Sequence, residues 1–212
     1  MSDERHFRVA VIGAGPAGIG TAVSLAKRGI GPVVLIERRA EAGGTPMGYR
    51  RKDGGVPTFV EWTRGRVVFG EELAERMLER LARTDAQLRL STQVIRIHPA
   101  EKRLTLLGPE GVFDIAADAV VLAAGAREQT PAEKGWLAGA RTARVGFTRH
   151  LTGWLDRHGL LPARKPVVVG SDLIAFSAAA KLRAAGSDEP VMIDRRQRPS
   201  SGLFERLFFR RW

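Results

Sequence analysis

An α/β fold built around a parallel sheet follows from three features of this 212-residue sequence. First, Arg8-Val-Ala-Val-Ile12 and Pro32-Val-Val-Leu-Ile-Glu37 are short, continuous apolar runs, the pattern of parallel strands buried on both faces. Second, the glycine turn Gly13-Ala-Gly15-Pro16-Ala17-Gly18 lies between them, followed by a helical segment from Ala17 to Lys27 that Gly29 ends. Third, the same order returns near the C-terminus as Pro166–Val169, Gly170, Leu173–Ala185 and Pro190–Asp194. There the interval from Gly13 to Glu37 is repeated from Gly170 to Asp194. A strand–turn–helix–strand unit of this length is the building block of Rossmann-type folds.

The remaining elements follow in order. The first helix turns Ala22, Leu25 and Ala26 to one side. From Arg38 to Gly70 the chain is rich in Gly, Arg and Pro and lacks periodicity, which predicts an irregular excursion. Glu71–Arg83 is an amphipathic helix with a stripe of Leu73, Met77, Leu78 and Leu81, and with Glu72/Arg76 and Glu79/Arg83 spaced for ion pairs. Alternating segments at Gln87–Leu90, Val94–His98, Arg103–Leu107 and Val112–Ile115, with turns at Pro99 and Gly108–Gly111, predict a β-meander. Ala119–Ala124 returns as an apolar strand ending at Gly125. The prediction is therefore a Rossmann-type domain over 1–131, with helices on both faces of its parallel sheet and a β-meander crossover. A partial second βαβ unit covers 132–196, with a tail over 197–212.

Between Arg195 and Trp212 that tail combines six Arg with Leu203, Phe204, Leu207, Phe208 and Trp212 in helical register. A basic amphipathic segment docks on a partner, lies as a peripheral element on an anionic membrane, or packs on its own domain, and the residues do not choose among these.

Composition bounds the function classes. Hydrophobic residues at 44% and charged residues at 27% are ordinary for a soluble globular chain. The net charge of +11, carried mostly by Arg, favours anionic partners. Nucleic acid is disfavoured because no nucleic-acid motif accompanies the charge. Cysteine is absent, which excludes disulfides, thiolate metal sites and redox-active Cys pairs from this chain. No apolar run is long enough to cross a bilayer. Arg8–Ala26 has a leader's apolar character, but its glycines stand at fixed spacing and an acidic strand end follows, so it reads as fold and predicts a cytoplasmic protein. His6, His98, His150 and His158 show no ligand spacing, no Ser-His-Asp grouping occurs, and neither a metal site nor a catalytic acid or base is assigned.

The glycine turn is where chemistry concentrates. Gly13 permits the tight turn, Gly15 lets backbone approach a pyrophosphate, and Gly18 lets helix pack on strand. The helix start at Pro16 and Ala17 presents free N–H groups and a partial positive charge, and Pro16 gives up only a donor that would have been orphaned. Glu37, at the end of the second strand, is placed to accept hydrogen bonds from an adenosine ribose. FAD is favoured over NAD by two further bare stretches of backbone. These are Gly43-Gly44-Thr45-Pro46 after the acidic strand end, and the Ala123-Ala124-Gly125-Ala126 turn.

Val11–Gly18, Ile36-Glu37-Arg38 with Gly43-Gly44, and Val120–Glu128 together resemble flavoproteins with two dinucleotide-binding domains, of the pyridine nucleotide-disulfide oxidoreductase type. Val167–Ala178 resembles the opening of the second domain in a cysteine-free branch that includes flavin subunits of opine-oxidase-like and hydrogen-cyanide-synthase-like dehydrogenases. The resemblance implies an FAD-dependent oxidoreductase, or a subunit of one, passing electrons from a small-molecule or nicotinamide donor. A partner subunit or a homo-oligomer would complete it. It further implies that Gly13, Gly15, Ala17 and Gly18 hold the FAD pyrophosphate and Glu37 the ribose, with Arg38 by the adenine. Gly44 and Thr45 would lie beside the pyrophosphate or ribityl chain, the Val94 backbone would meet the adenine, and Ala124 and Gly125 would pass close to the cofactor.

The sequence departs from that family in three ways. No Cys pair follows Gly44, so the disulfide-reductase reaction is excluded. The chain stops at Trp212, before the family's long C-terminal return, which predicts a shortened, partner-dependent flavoprotein. Gly170-Ser171-Asp172 puts a carboxylate where phosphates would lie, and like charge opposes them. Asp194 is placed to accept a ribose hydroxyl and Arg195 and Arg196 to meet a 2′-phosphate, so NAD and NADP are not separated. The favoured reading of this second site is a vestigial element without a nicotinamide. The alternatives are a non-catalytic FAD-binding subunit, an NAD-binding domain without flavin, and a basic interaction protein.

Overall fold

The structure is a computed structural model, which describes residues 6–50, 59–61, 64–130, 132–133, 135 and 145–196. The predicted basic amphipathic tail over 197–212 lies outside the described residues. The elements in chain order are β1 (His6–Ile12), α1 (Pro16–Lys27), β2 (Val33–Ile36), β3 (Phe59–Glu61), β4 (Arg66–Val68), α2 (Gly70–Leu81), β5 (Gln87–Arg89), β6 (Gln93–His98), β7 (Arg103–Gly108), β8 (Gly111–Leu122), α3 (Thr148–His158), β9 (Val167–Val169), α4 (Leu173–Ala184) and β10 (Val191–Ile193). They fall into two compact units. One combines the residues up to Met47 with Gly70–Ala126, the other Gly48–Phe69 with the residues from Arg127 onward.

The first unit is a six-stranded sheet in the order β5-β2-β1-β8-β7-β6. Its central strands are parallel: Val9 to Ile12 of β1 pair with Val33 to Ile36 of β2 on one side, and β1 pairs with β8 on the other. All of β2 is buried, as its unbroken apolar run requires. α1 and α2 cover one face, where Ile19, Ala22 and Leu81 close over Val9, Val11, Val33 and Leu35. The expected helix on the other face is absent among the described residues. There Ala10, Val34 and Ile36 are covered by Leu104, Leu106, Ile115 and Ala117, so the meander supplies the apolar layer.

Three further expectations are corrected. Gln87–Leu90 is not the first meander strand; as β5 it extends the parallel sheet beside β2, pairing Val34 with Gln87. Val112–Ile115 and Ala119–Ala124 are one 12-residue strand, β8, antiparallel to β7 in its first half and parallel to β1 in its second. Asp118 marks no break because it sits on the open side, bonded to His6 and Arg8. In α2 the Glu72–Arg76 pair forms at 3.7 Å, whereas Arg83 lies past the last helical residue.

In the second unit the excursion after Arg38 is not irregular throughout. β3 and β4 form an antiparallel hairpin, and the buried Glu61 accepts from Arg66 Nε at 2.9 Å. β9 and β10 pair in parallel, with α4 burying Ala175, Ala178 and Leu182. The apolar run Pro166–Val169 predicts a buried strand. Val167, Val169, Val191 and Ile193 are instead at least half exposed, because among the described residues this sheet has only two strands and one face is open. Lys181 of α4, at 1% exposure, donates to the Gly48 carbonyl at 3.0 Å and lies 5.6 Å from the Tyr49 ring centre.

Candidate functional site

The carboxyl ends of β1, β2 and β8 are fastened together at the glycine turn. The Gly13 N–H donates to the Ile36 carbonyl and the Ala123 N–H to the Ile12 carbonyl, both at 2.8 Å. Gly13 has a φ of +106°, and a Cβ there would lie 2.4 Å from the Ala123 oxygen. Gly18 is fixed by packing as well, since a Cβ on it would stand 1.8 Å from the Gly13 oxygen.

Gly15 differs from both. It has ordinary backbone angles, φ −84° and ψ −175°, and a Cβ would meet only the Gly44 α-carbon at a comfortable 3.7 Å. The fold therefore does not need glycine there. Glycine at this position leaves the start of α1 bare: no side chain caps the helix, no acidic residue lies in its first turn, and Pro16 opens it. The first-turn N–H groups beyond Pro16, those of Ala17 and Gly18, thus lack a side-chain acceptor, which is the arrangement that binds an anion.

Beside this opening, Glu37 is held rigidly. Its carboxylate accepts the Ala14 N–H at 2.9 Å and the Arg39 N–H at 3.0 Å, and the residue is 9% exposed. A carboxylate has about four acceptor positions, so roughly two remain for the hydroxyls of a ribose. Arg38 is exposed next to it. The Gly43 N–H donates to the Ala14 carbonyl at 2.8 Å, which carries Gly44 against Gly15: a Cβ on Gly44 would be 2.7 Å from the Gly15 α-carbon. Thr45 follows, exposed. Ala124 packs its α-carbon against Gly13, and Gly125 beyond it is open. Thus Gly13, Gly15, Pro16, Ala17, Gly18, Glu37, Gly44 and Ala124 come together in one unit. Val94 stands at the margin, half buried on β6, two residues past Thr92, whose N–H donates to the Glu37 carbonyl at 2.9 Å. Sequence reasoning gave no role to Ala14, Arg39 or Thr92. Their contribution is made by backbone N–H groups, which no side-chain pattern reveals.

The second glycine turn repeats this geometry closely. Gly170 has a φ of +117° and donates to the Ile193 carbonyl at 2.8 Å, as Gly13 does to Ile36. Asp194 accepts the Ser171 hydroxyl and the Arg196 N–H, the positions equivalent to Ala14 and Arg39. Aspartate is one methylene shorter than glutamate, and the serine hydroxyl spans the difference. Arg196, expected to face a 2′-phosphate, also turns its guanidinium toward Asp194 at 3.5 Å, while Arg195 is exposed. The Ser171 hydrogen bond first, and the Arg196 N–H second, hold the Asp194 carboxyl below its usual range.

The effect on folding has a definite sign. A carboxyl lowered in the folded state contributes stability above its unfolded pKa and loses it as pH falls through the folded value. Ser171→Ala should therefore move the Asp194 titration upward toward an ordinary aspartate. A carboxyl-detected NMR titration of both proteins measures this, and an unchanged midpoint refutes the assignment.

Elsewhere, His6 bonds Asp118, His98 bonds the Thr105 hydroxyl, and His150 packs edge-on against Phe147. Among the described residues no group of three or more His, Cys, Asp and Glu is placed to hold a metal. Nor is any helix among them long and apolar enough to cross a membrane.

Known proteins resemble this chain over most of its length. The family model described as pyridine nucleotide-disulphide oxidoreductase matches residues 7–207. The A subunit of opine oxidase from Rhizobium meliloti (strain 1021) is 32% identical over 186 residues, covering 87% of this chain and 38% of the relative. The alpha subunit of sarcosine oxidase from the same organism is 24% identical over 209 residues, covering 93% of this chain and 20% of the relative. Among solved structures, L-proline dehydrogenase from P. horikoshii shares the fold with a TM-score of 0.66 at 24% identity, over 94% of this chain and 38% of that one. The chain spans well under half the length of these relatives.

Proposed function

The chain belongs to the pyridine nucleotide-disulphide oxidoreductase family, and from that membership we propose that the residues around Gly15 hold FAD and that the chain is the flavin-binding part of an oxidoreductase. One observation carries the reading: α1 begins uncapped, at a glycine its own packing does not require, beside the fixed carboxylate of Glu37. Helix N-terminus, bare backbone and ribose acceptor are what the ADP half of FAD needs. In this reading Gly13, Gly15, Ala17 and Gly18 surround the pyrophosphate and Glu37 takes the ribose, with Arg38 by the adenine and the Val94 backbone near it. Gly44, Thr45, Ala124 and Gly125 line the path of the remainder. The flavin ring, when bound, supplies reversible uptake of electrons, and the protein binds and orients it. The sequence contains no cysteine, so no dithiol step runs through this chain.

A second reading, that a partner chain completes the enzyme, is favoured by the names of the two relatives, both of which are oxidase subunits. Those names also favour a small-molecule electron donor over a nicotinamide. A cytoplasmic location remains part of this proposal, supported by the use of Arg8–Ala26 as β1, the glycine turn and α1.

The test is direct. The full chain is purified, any ligand is released by heat and identified by absorbance and mass, and FAD is titrated while melting is followed. At about a hundredfold excess over Kd, a ligand selective for the folded state adds about 2.7 kcal/mol. An unmoved melting temperature at saturating FAD rejects the proposal. Stabilisation by NAD alone replaces it with a nicotinamide-binding domain.

A further inference from the structure

The two glycine turns can be compared position by position, and they differ at one decisive place. Gly15 and Asp172 occupy the same position, each the N-cap of its helix, with matching backbone: φ −84° and ψ −175° for Gly15, φ −84° and ψ 175° for Asp172. The turn glycines before them, the strand-end acids after them and the hydrogen bonds that join those acids to the turn all correspond. A dinucleotide pyrophosphate approaches bare backbone at this position and takes the first-turn N–H groups. In the second unit Asp172 puts a carboxylate there, and that carboxylate already accepts the Ala175 N–H at 2.8 Å. Ala175 is the counterpart of Gly18, whose helix has no side-chain cap. Asp172 therefore removes a donor, adds a side chain at the point of closest approach, and sets a negative charge against a doubly negative ligand.

We propose that the second βαβ unit is closed to nicotinamide dinucleotides, and that Asp172 is the residue that closes it. The unit keeps the architecture of a nucleotide fold while its helix is capped from within. Electrons then reach this protein from a donor that does not dock as NADH or NADPH on the Gly170 turn. The inference stands apart from the flavin reading, because it concerns residues of the second unit alone.

The experiment uses the full chain saturated with FAD and titrated with NADH and with NADPH, followed by nicotinamide fluorescence. Asp172→Asn keeps a good capping side chain and removes the charge; Asp172→Gly reproduces the arrangement of the first turn at little cost to the helix. The wild-type protein should show no saturable binding below about 1 mM, and Asp172→Gly should bind at least about tenfold more tightly, with Asp172→Asn between them. Asp172→Asn, which preserves the cap, decides the matter should the glycine variant melt early. Tight binding to the wild type that survives Gly15→Asp overturns the proposal, as does failure of both Asp172 variants to tighten binding. Wild-type binding that is unchanged when FAD is withheld and that Gly15→Asp abolishes places the nicotinamide on the first turn, in which case the flavin reading fails and the closure of the second unit stands.

Discussion

Gly15→Asp should leave the fold intact and abolish flavin retention. The backbone at Gly15 is in the ordinary extended region, and a Cβ there makes only a normal contact with Gly44, so the variant introduces no strain. Aspartate is, moreover, a good N-cap, and the same residue at the same backbone angles caps α4. The apo protein should therefore melt at or slightly above the wild-type temperature. Ligand binding responds in the opposite direction. At a separation of ~5 Å and an effective dielectric of ~20, each phosphate charge would be repelled by about 3 kcal/mol, and the first-turn donor would be lost as well. FAD affinity should fall by at least about a hundredfold. Flavin absorbance of the purified protein and an FAD melting titration measure both halves of this result. Retained yellow colour in a folded Gly15→Asp protein would show that the flavin, wherever it binds, does not lie on this turn.

That asymmetry between stability and binding was only partly visible in the sequence. The spacing of Gly13, Gly15, Gly18 and Glu37 located the turn between β1 and α1, because so tight a strand-to-helix turn is written in residue types that few other structures need in that order. The spacing did not reveal which glycines the fold requires and which one it does not. That distinction depends on what surrounds each α-carbon: the Ala123 oxygen beside Gly13, the Gly13 oxygen beside Gly18, and little beside Gly15. Strand pairing was legible where apolar runs were unbroken, as in β1 and β2, and misread where a strand changes partners. No turn residue separates the two halves of Gly111–Leu122, and only the tertiary context shows that one strand pairs antiparallel with β7 and then parallel with β1. The half-exposed β9 and β10 make the complementary point. An apolar run reports a strand's capacity for burial, whereas the number of neighbouring strands and layers determines its actual burial.

Gly18→Ala should do what Gly15→Asp does not, and unfold the first unit at a markedly lower temperature. An added methyl at position 18 would stand 1.8 Å from the Gly13 carbonyl oxygen and 3.3 Å from a methyl of Leu35. The oxygen belongs to the turn that joins β1 to α1, so it has no rotamer by which to yield. The helix must withdraw from the sheet instead, parting Ile19 and Ala22 from Val11 and Leu35 in the main apolar cluster. Overpacking of this kind costs typically about 1–3 kcal/mol, a sizeable share of the 5–15 kcal/mol that holds a typical domain together. At roughly 3 °C per kcal/mol for a chain of this size, melting should fall by about 3–9 °C. The second unit shows why the effect is specific to this turn. Its equivalent position is Ala175, which carries a methyl and is buried, so α4 accommodates at that point the group that would collide with the turn in α1. A helix pressed that close brings its bare N-terminus to the ends of β1, β2 and β8. Gly18→Ala should therefore weaken FAD binding even below its own melting point, as a consequence of helix displacement. A variant that melts within about 2 °C of wild type would mean that α1 is not seated against the Gly13 turn. The separation of roles between Gly15 and Gly18 would then have no structural basis.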